Sequence, residues 1–222
     1  MDIILNFLLS QSIIFPITVG ILRIKKLVKA YAPFFIVLIL GLLAELTSFF
    51  FINVLKISNA PVIKGYSLFE CCLLIYQLYL WKNSDRNRQW FMVLMGICIS
   101  FWFIETVVFS NLNTFSPYFR VFYAFVLVLL SINQINAMMF NHEGSLLKNP
   151  RFILCLGFII FFLYQIIYEA SYYVGSDKSE VANKIIMGFG YINFVINLLY
   201  AIAIFLITDK KEDGYDHYFN EP

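Results

Sequence analysis

Apolar positions gather in seven long blocks along this chain, at 3–22, 33–55, 62–81, 89–109, 119–140, 152–174 and 184–208, with short polar connections between them. About 20 helical residues, rising 1.5 Å each, cross the ~30 Å hydrocarbon core of a bilayer. Seven such blocks cannot all be hidden inside a soluble chain of 222 residues. The pattern therefore predicts an all-α, polytopic membrane protein: a bundle of seven transmembrane helices, then a short polar cytoplasmic tail at 209–222. Pro16 and Gly20 fall inside the first block and predict a loosened or kinked helix there. The connections are too short to hold a soluble catalytic domain.

Four of the blocks carry one glutamate each: Glu45, Glu70, Glu105 and Glu169. A carboxylate within the membrane costs at least ~2.5 kcal/mol on insertion scales, so such groups are expected to face the bundle interior or a wet cavity and to find a partner. Helical spacing sorts their neighbours. Tyr66, Glu70 and Gln77 share a stripe, as do Gln165, Glu169 and Tyr172, and Gly41, Glu45 and Ser48. Asn193, Asn197 and Tyr200 form a fourth stripe, and Asn133 and Asn136 share a face of the fifth helix. Polar groups of this kind are ordinarily interhelical glue. Glu45 and Glu70, the deepest of the acids, are the stronger candidates for more than that.

Basic residues set the orientation. With the amino terminus outside, the cytoplasmic segments hold Arg23, Lys25, Lys26, Lys29, Lys82, Arg86, Arg88, Lys148, Arg151, Lys210 and Lys211, and the outer side holds Lys56, Lys64, Arg120, Lys178 and Lys184. This eleven-to-five bias predicts an exported amino terminus and a cytoplasmic carboxyl terminus. The start of the chain lacks a basic region and a small-residue cleavage site, so the first helix is expected to be retained. In this orientation all four glutamates fall between mid-membrane and the outer surface, with Lys64, Arg120 and Glu105 near the mouth of any pocket they form.

Composition agrees with the pattern. Apolar residues are 61% of the chain and charged residues 14%, against about 25% charged in soluble domains. A net charge of +2 without a basic cluster argues against a nucleic-acid partner. Cys71, Cys72, Cys98 and Cys155 all lie in apolar blocks without a C-x-x-C spacing, which reads as packing rather than as disulfide or redox chemistry. His142 and His217 lie outside the blocks, so an intramembrane zinc site is not indicated. The seventh helix has no interior lysine for a retinal Schiff base, and intramembrane aspartates of the lysoplasmalogenase type are absent from the blocks. Neither a G-x-S-x-G elbow nor a phosphate-cradling glycine loop is present. No cofactor or metal is implied, and no nucleophile is identified.

Two short matches hint at internal duplication. Gly65-Tyr66 with Glu70 pairs with Gly188-Phe189 and Asn193, and Glu45-Leu46-Thr47 pairs with Glu169-Ala170-Ser171. Helices 1–3 and 5–7 would then be parallel pseudo-repeats linked by helix 4, a 3+1+3 layout.

The run Leu147-Lys-Asn-Pro150-Arg-Phe152, the run Tyr191-Ile-Asn193-Phe-Val-Ile-Asn197-Leu-Leu-Tyr200 and the series Glu45, Asn59, Tyr66, Glu70 resemble a group of uncharacterised seven-helix inner-membrane proteins of Bacteroidota. The resemblance implies a bacterial inner-membrane location and a signalling context beside sensor kinases, with a partner on the cytoplasmic side. Three function classes follow, in this order: a receptor-like or sensory module with an outward polar pocket, a small-solute transporter, and a membrane-embedded lipid-modifying enzyme. In the first two, Glu45, Tyr66, Glu70, Glu169, Asn193 and Asn197 are expected to line a pocket for a small cationic or hydroxylated ligand.

Overall fold

The computed structural model describes residues 9, 11–25, 29–82, 85–110, 116–141, 145–174 and 180–207. Among these the chain is helical throughout, with no strand and seven α-helices. They are α1 (Ile14–Leu22), α2 (Ala32–Phe50), α3 (Ala60–Lys82), α4 (Asp85–Phe103), α5 (Tyr118–Asn141), α6 (Pro150–Val174) and α7 (Glu180–Phe205). A 3-10 turn, Gln11–Ile13, leads into α1. Wider π turns prolong α2 over Phe51–Leu55 and α4 over Ile104–Phe109.

The helix ends follow local chemistry. Pro16 lies in the first turn of α1, just after the 3-10 turn Gln11–Ile13, so the regular α-helix begins only where its missing N–H costs nothing. Gly20 has a packing role: a Cβ there would collide with the Phe35 ring. Pro33 occupies the first turn of α2. Pro150 opens α6 behind Asn149, whose Oδ1 accepts a hydrogen bond from the Arg151 N–H at 2.9 Å, an Asn cap followed by proline. Lys56 takes a left-handed conformation (φ 56°) to end the π turn after α2. The α5 amino end is capped from another helix: Glu105 Oε2 accepts the Phe119 N–H at 2.6 Å, and Oε1 accepts the Ser116 hydroxyl.

Six helices close into a ring in which α1 packs on α2, α2 on α3, α3 on α5, α5 on α6, α6 on α7 and α7 on α1. α4 lies against the outside of the α3–α5 seam. Five stretches are long and apolar enough to cross a membrane: Lys29–Leu55, Arg88–Phe109, Tyr118–Phe140, Pro150–Ser171 and Glu180–Phe205. Their outward residues, such as Leu43, Phe103, Leu129, Ile167 and Ile202, are exposed hydrocarbon, the surface expected of helices in contact with lipid acyl chains. The described part of α1 is shorter. α3 is long enough but carries Lys64, Tyr66, Glu70 and Gln77. Those polar groups have a structural reason: α3 touches α2, α4 and α5, and its polar side chains meet other helices.

Candidate functional site

A cavity of about 240 Å³ occupies the interior of the ring. Its floor is aromatic. Phe34, Phe158 and Tyr200 pack mutually edge-on, with ring centres 5.1 to 5.7 Å apart. The close approach of α6 and α7 here depends on Gly157, because a Cβ at that position would stand 2.6 Å from the Tyr200 ring. Trp81 stacks on Phe158 and Tyr31 meets Trp81 edge-on, so the aromatic packing continues below the floor. Gln77 fixes the start of α2 at this level. Its fully buried amide accepts the Phe34 N–H at 2.9 Å and donates to the Ala30 carbonyl.

The walls are largely apolar, with Ile13, Val37, Leu38, Ile63 and Leu74 among them, and carry polar groups from both sides of the ring. Glu45 and Ser48 (α2), Tyr66 and Glu70 (α3), Arg120 (α5), Gln165 (α6), and Asn193 and Asn197 (α7) all line the space. At the centre is a chain of hydrogen bonds about Glu70, which is 6% exposed. Tyr66, one turn earlier on α3, donates to Oε1 at 3.0 Å; Tyr123 of α5 donates to Oε2 at 2.6 Å; and the Gln165 amide donates to the Tyr123 oxygen at 3.0 Å. Gly41 leaves room for Tyr66, whose hydroxyl lies 3.1 Å from where a Cβ would be. On α7, the Asn197 amide donates to Ser12 at 2.8 Å, tying the 3-10 turn before α1 to the cavity wall, and also reaches Asn193 Oδ1 at 3.3 Å. Glu45, Ser48 and Asn59, all half-buried, line the end of the cavity away from Phe34.

Of the six residues named from the sequence, Glu45, Tyr66, Glu70, Asn193 and Asn197 are among those that line this cavity. The sixth, Glu169, is fully buried in the wall, where its Oε1 lies 2.7 Å from Arg120 Nη1. Among the described residues neither Glu169 oxygen accepts a hydrogen bond that meets geometric criteria, so the contact with Arg120 is an ion pair. Arg120 also lines the cavity. Lys64 and Glu105 do not line the space. Lys64, 7% exposed, donates to Ser110 at 2.8 Å, and its carbonyl accepts from Trp102 and Ser67; with the Glu105 cap, this group fastens α4 to α3 and α5. Asn133 and Asn136 are exposed, not inward. The Tyr172 side chain, His142, Lys178 and the tail at 209–222 lie outside the described residues. Tyr123 was not singled out in the sequence, although it stands one helical turn after Arg120 and so on the same face.

Chemically, the space joins a carboxylate held by two phenols, an arginine committed to a second carboxylate, paired amides and several aromatic faces. Such a surface can hold a small polar or positively charged organic molecule. No group of three or more His, Cys, Asp or Glu side chains suited to a metal occurs among the described residues. No family model, no curated protein and no solved structure matches the chain.

Proposed function

We propose that this chain is a seven-span protein of the bacterial inner membrane that captures a small polar or cationic solute from the outer side, with its amino terminus outside and its carboxyl terminus in the cytoplasm. The observation that carries this reading is the cavity itself, an interior space lined by Glu45, Tyr66, Glu70, Asn193 and Asn197 within a ring of apolar-surfaced helices. Glu45, Ser48 and Asn59, at the end of the lining away from Phe34, belong to the carboxyl end of α2 and the connection to α3, the outer end in the basic-residue orientation.

Of the sensory and transport roles, the depth of the site favours transport. Phe34 is only the third residue of α2, whereas Ser48 is near its end, so the lining spans about 21 Å of helix by the 1.5 Å rise. Solute on the floor would be separated from the inner face by the aromatic layers of Phe34, Phe158 and Tyr200 and then Tyr31 and Trp81. A ring with α4 outside it also supports a layout of two three-helix halves with the site between them, as in carriers built from parallel repeats.

Purified protein in liposomes, offered radiolabelled choline, ethanolamine, glycerol and xylitol, is expected to accumulate at least one of them, with uptake lost in Glu70→Gln. Saturable binding without uptake would turn the reading to the sensory role, in which a cytoplasmic partner reads the occupied state. Absence of both would refute it.

A further inference from the structure

We propose that Glu70 is an exchange site, at which an organic ammonium ion and a proton compete for the same carboxylate. The inference rests on the solute-binding reading above and names the ligand class of that site.

The argument begins with charge. Glu70 is nearly enclosed, lines the cavity and, among the described residues, makes no contact ion pair. The charged and titratable groups around it come from every neighbouring wall: Tyr66 and Cys71 on its own helix, Glu45 on α2, Cys98 on α4, Arg120 and Tyr123 on α5, Glu169 on α6 and Tyr200 on α7. The one full positive charge of that set, Arg120, is 2.7 Å from Glu169. Two phenol hydrogen bonds steady the Glu70 oxygens but bring no positive charge. A carboxylate so placed is balanced by a cation that enters the cavity or by a proton. The aromatic faces of Tyr66, Phe158, Phe162, Phe189 and Tyr200 along the same space favour an ammonium ion with carbon substituents, which combines ring-face attraction with Coulomb attraction, over a strongly hydrated metal ion.

The hydrogen-bond chain also assigns the proton. Gln165 donates to the Tyr123 oxygen, which directs the Tyr123 hydrogen at Oε2. A proton arriving at Glu70 therefore settles on Oε1, and Tyr66, whose hydroxyl has Glu70 as its one hydrogen-bond partner among the described residues, turns from donor to acceptor. When the ammonium ion enters, the O–H bond at Oε1 breaks, the proton leaves through the cavity to the outer water, and Tyr66 turns back to donate. Charge is conserved: one cation in, one proton out.

Tetramethylammonium, which has no proton of its own to give, is the probe. Calorimetry on the full chain in nanodiscs, in two buffers of different ionisation enthalpy, reads both affinity and protons released. The expected result is release of close to one proton per cation at low pH and an affinity that rises about tenfold per pH unit until Glu70 is ionised, then levels. Glu70→Asp should keep a pH-dependent profile, Glu70→Gln should lose it while its helical spectrum stays that of the parent, and Glu180→Gln, an exposed carboxylate outside the cavity, should keep it. Binding with no proton release and a flat profile overturns the exchange and leaves the cavity reading standing. So does a profile that survives Glu70→Gln but vanishes in Glu45→Gln. Absence of tetramethylammonium binding overturns the ammonium assignment, and xylitol in the same cell then decides the cavity reading: binding preserves it, silence removes it.

Discussion

Removing Arg120 should damage the protein more than removing Glu169, although the two form one ion pair. At 2.7 Å the gross attraction is about 6 kcal/mol for an effective dielectric of about 20, and withdrawing each ion from water costs several kcal/mol. The pair is therefore close to neutral in net terms, and the cost of a single truncation is set by what is left behind. Arg120→Leu leaves a fully enclosed carboxylate with no well-aligned hydrogen bond, the situation that costs about 3–5 kcal/mol. Glu169→Leu leaves a guanidinium that is 18% exposed, lines the cavity and can turn toward its water or toward Glu70, a loss of about 1–3 kcal/mol. The double variant should return to within about 1 kcal/mol of the parent, since two leucines match the apolar surroundings. Helix content followed through an SDS titration in mixed micelles gives the three differences directly. Glu169→Leu proving the more harmful, or the two losses simply adding in the double variant, would show that the pair is not the isolated buried unit described here.

Gln77→Leu should destabilise by about 2–4 kcal/mol in the same titration, because it strips both the Phe34 N–H and the Ala30 carbonyl of their side-chain partner at the start of α2; a change under 0.5 kcal/mol would deny it that role. Gly157→Ala should push the Tyr200 ring off its place on α6 and so alter the cavity floor, weakening solute binding at least tenfold in calorimetry while the protein still folds; unchanged affinity would place the solute away from the floor.

The apolar blocks carry most of the architecture because a bilayer imposes length and hydrophobicity directly on the sequence. α3 shows where this reading thins out. Its polarity comes from contacts with other helices, so hydropathy alone understates a helix that the ring buries. Within the site, what is local was legible: Tyr66 and Glu70, four apart, do meet, and Asn193 and Asn197 do too. What depends on how helices cross was not. Gln77 shares the Glu70 stripe by spacing but lies nearly two turns further along, at the level where α2 begins, and binds backbone there. Arg120 reads as a surface cation because it stands near a helix start, yet the long side chain reaches inward to Glu169. Glu105 reads as a membrane acid and acts as the cap of the next helix, a partnership that no spacing within one helix reveals. The same limit applies to Tyr123, whose hydroxyl matters only because α3 and α5 pack together.

If the acidic cavity opens outward, a cysteine at its Glu45 end is reached from outside the cell. Ser48→Cys, in a background without the four native cysteines, places one thiol among the lining residues beside Glu45. In intact cells the membrane-impermeant cationic reagent MTSET should modify it, faster than the anionic MTSES, and tetramethylammonium should slow that reaction. Modification only from the cytoplasmic side of inverted vesicles, or a faster reaction with the anion, would contradict the account.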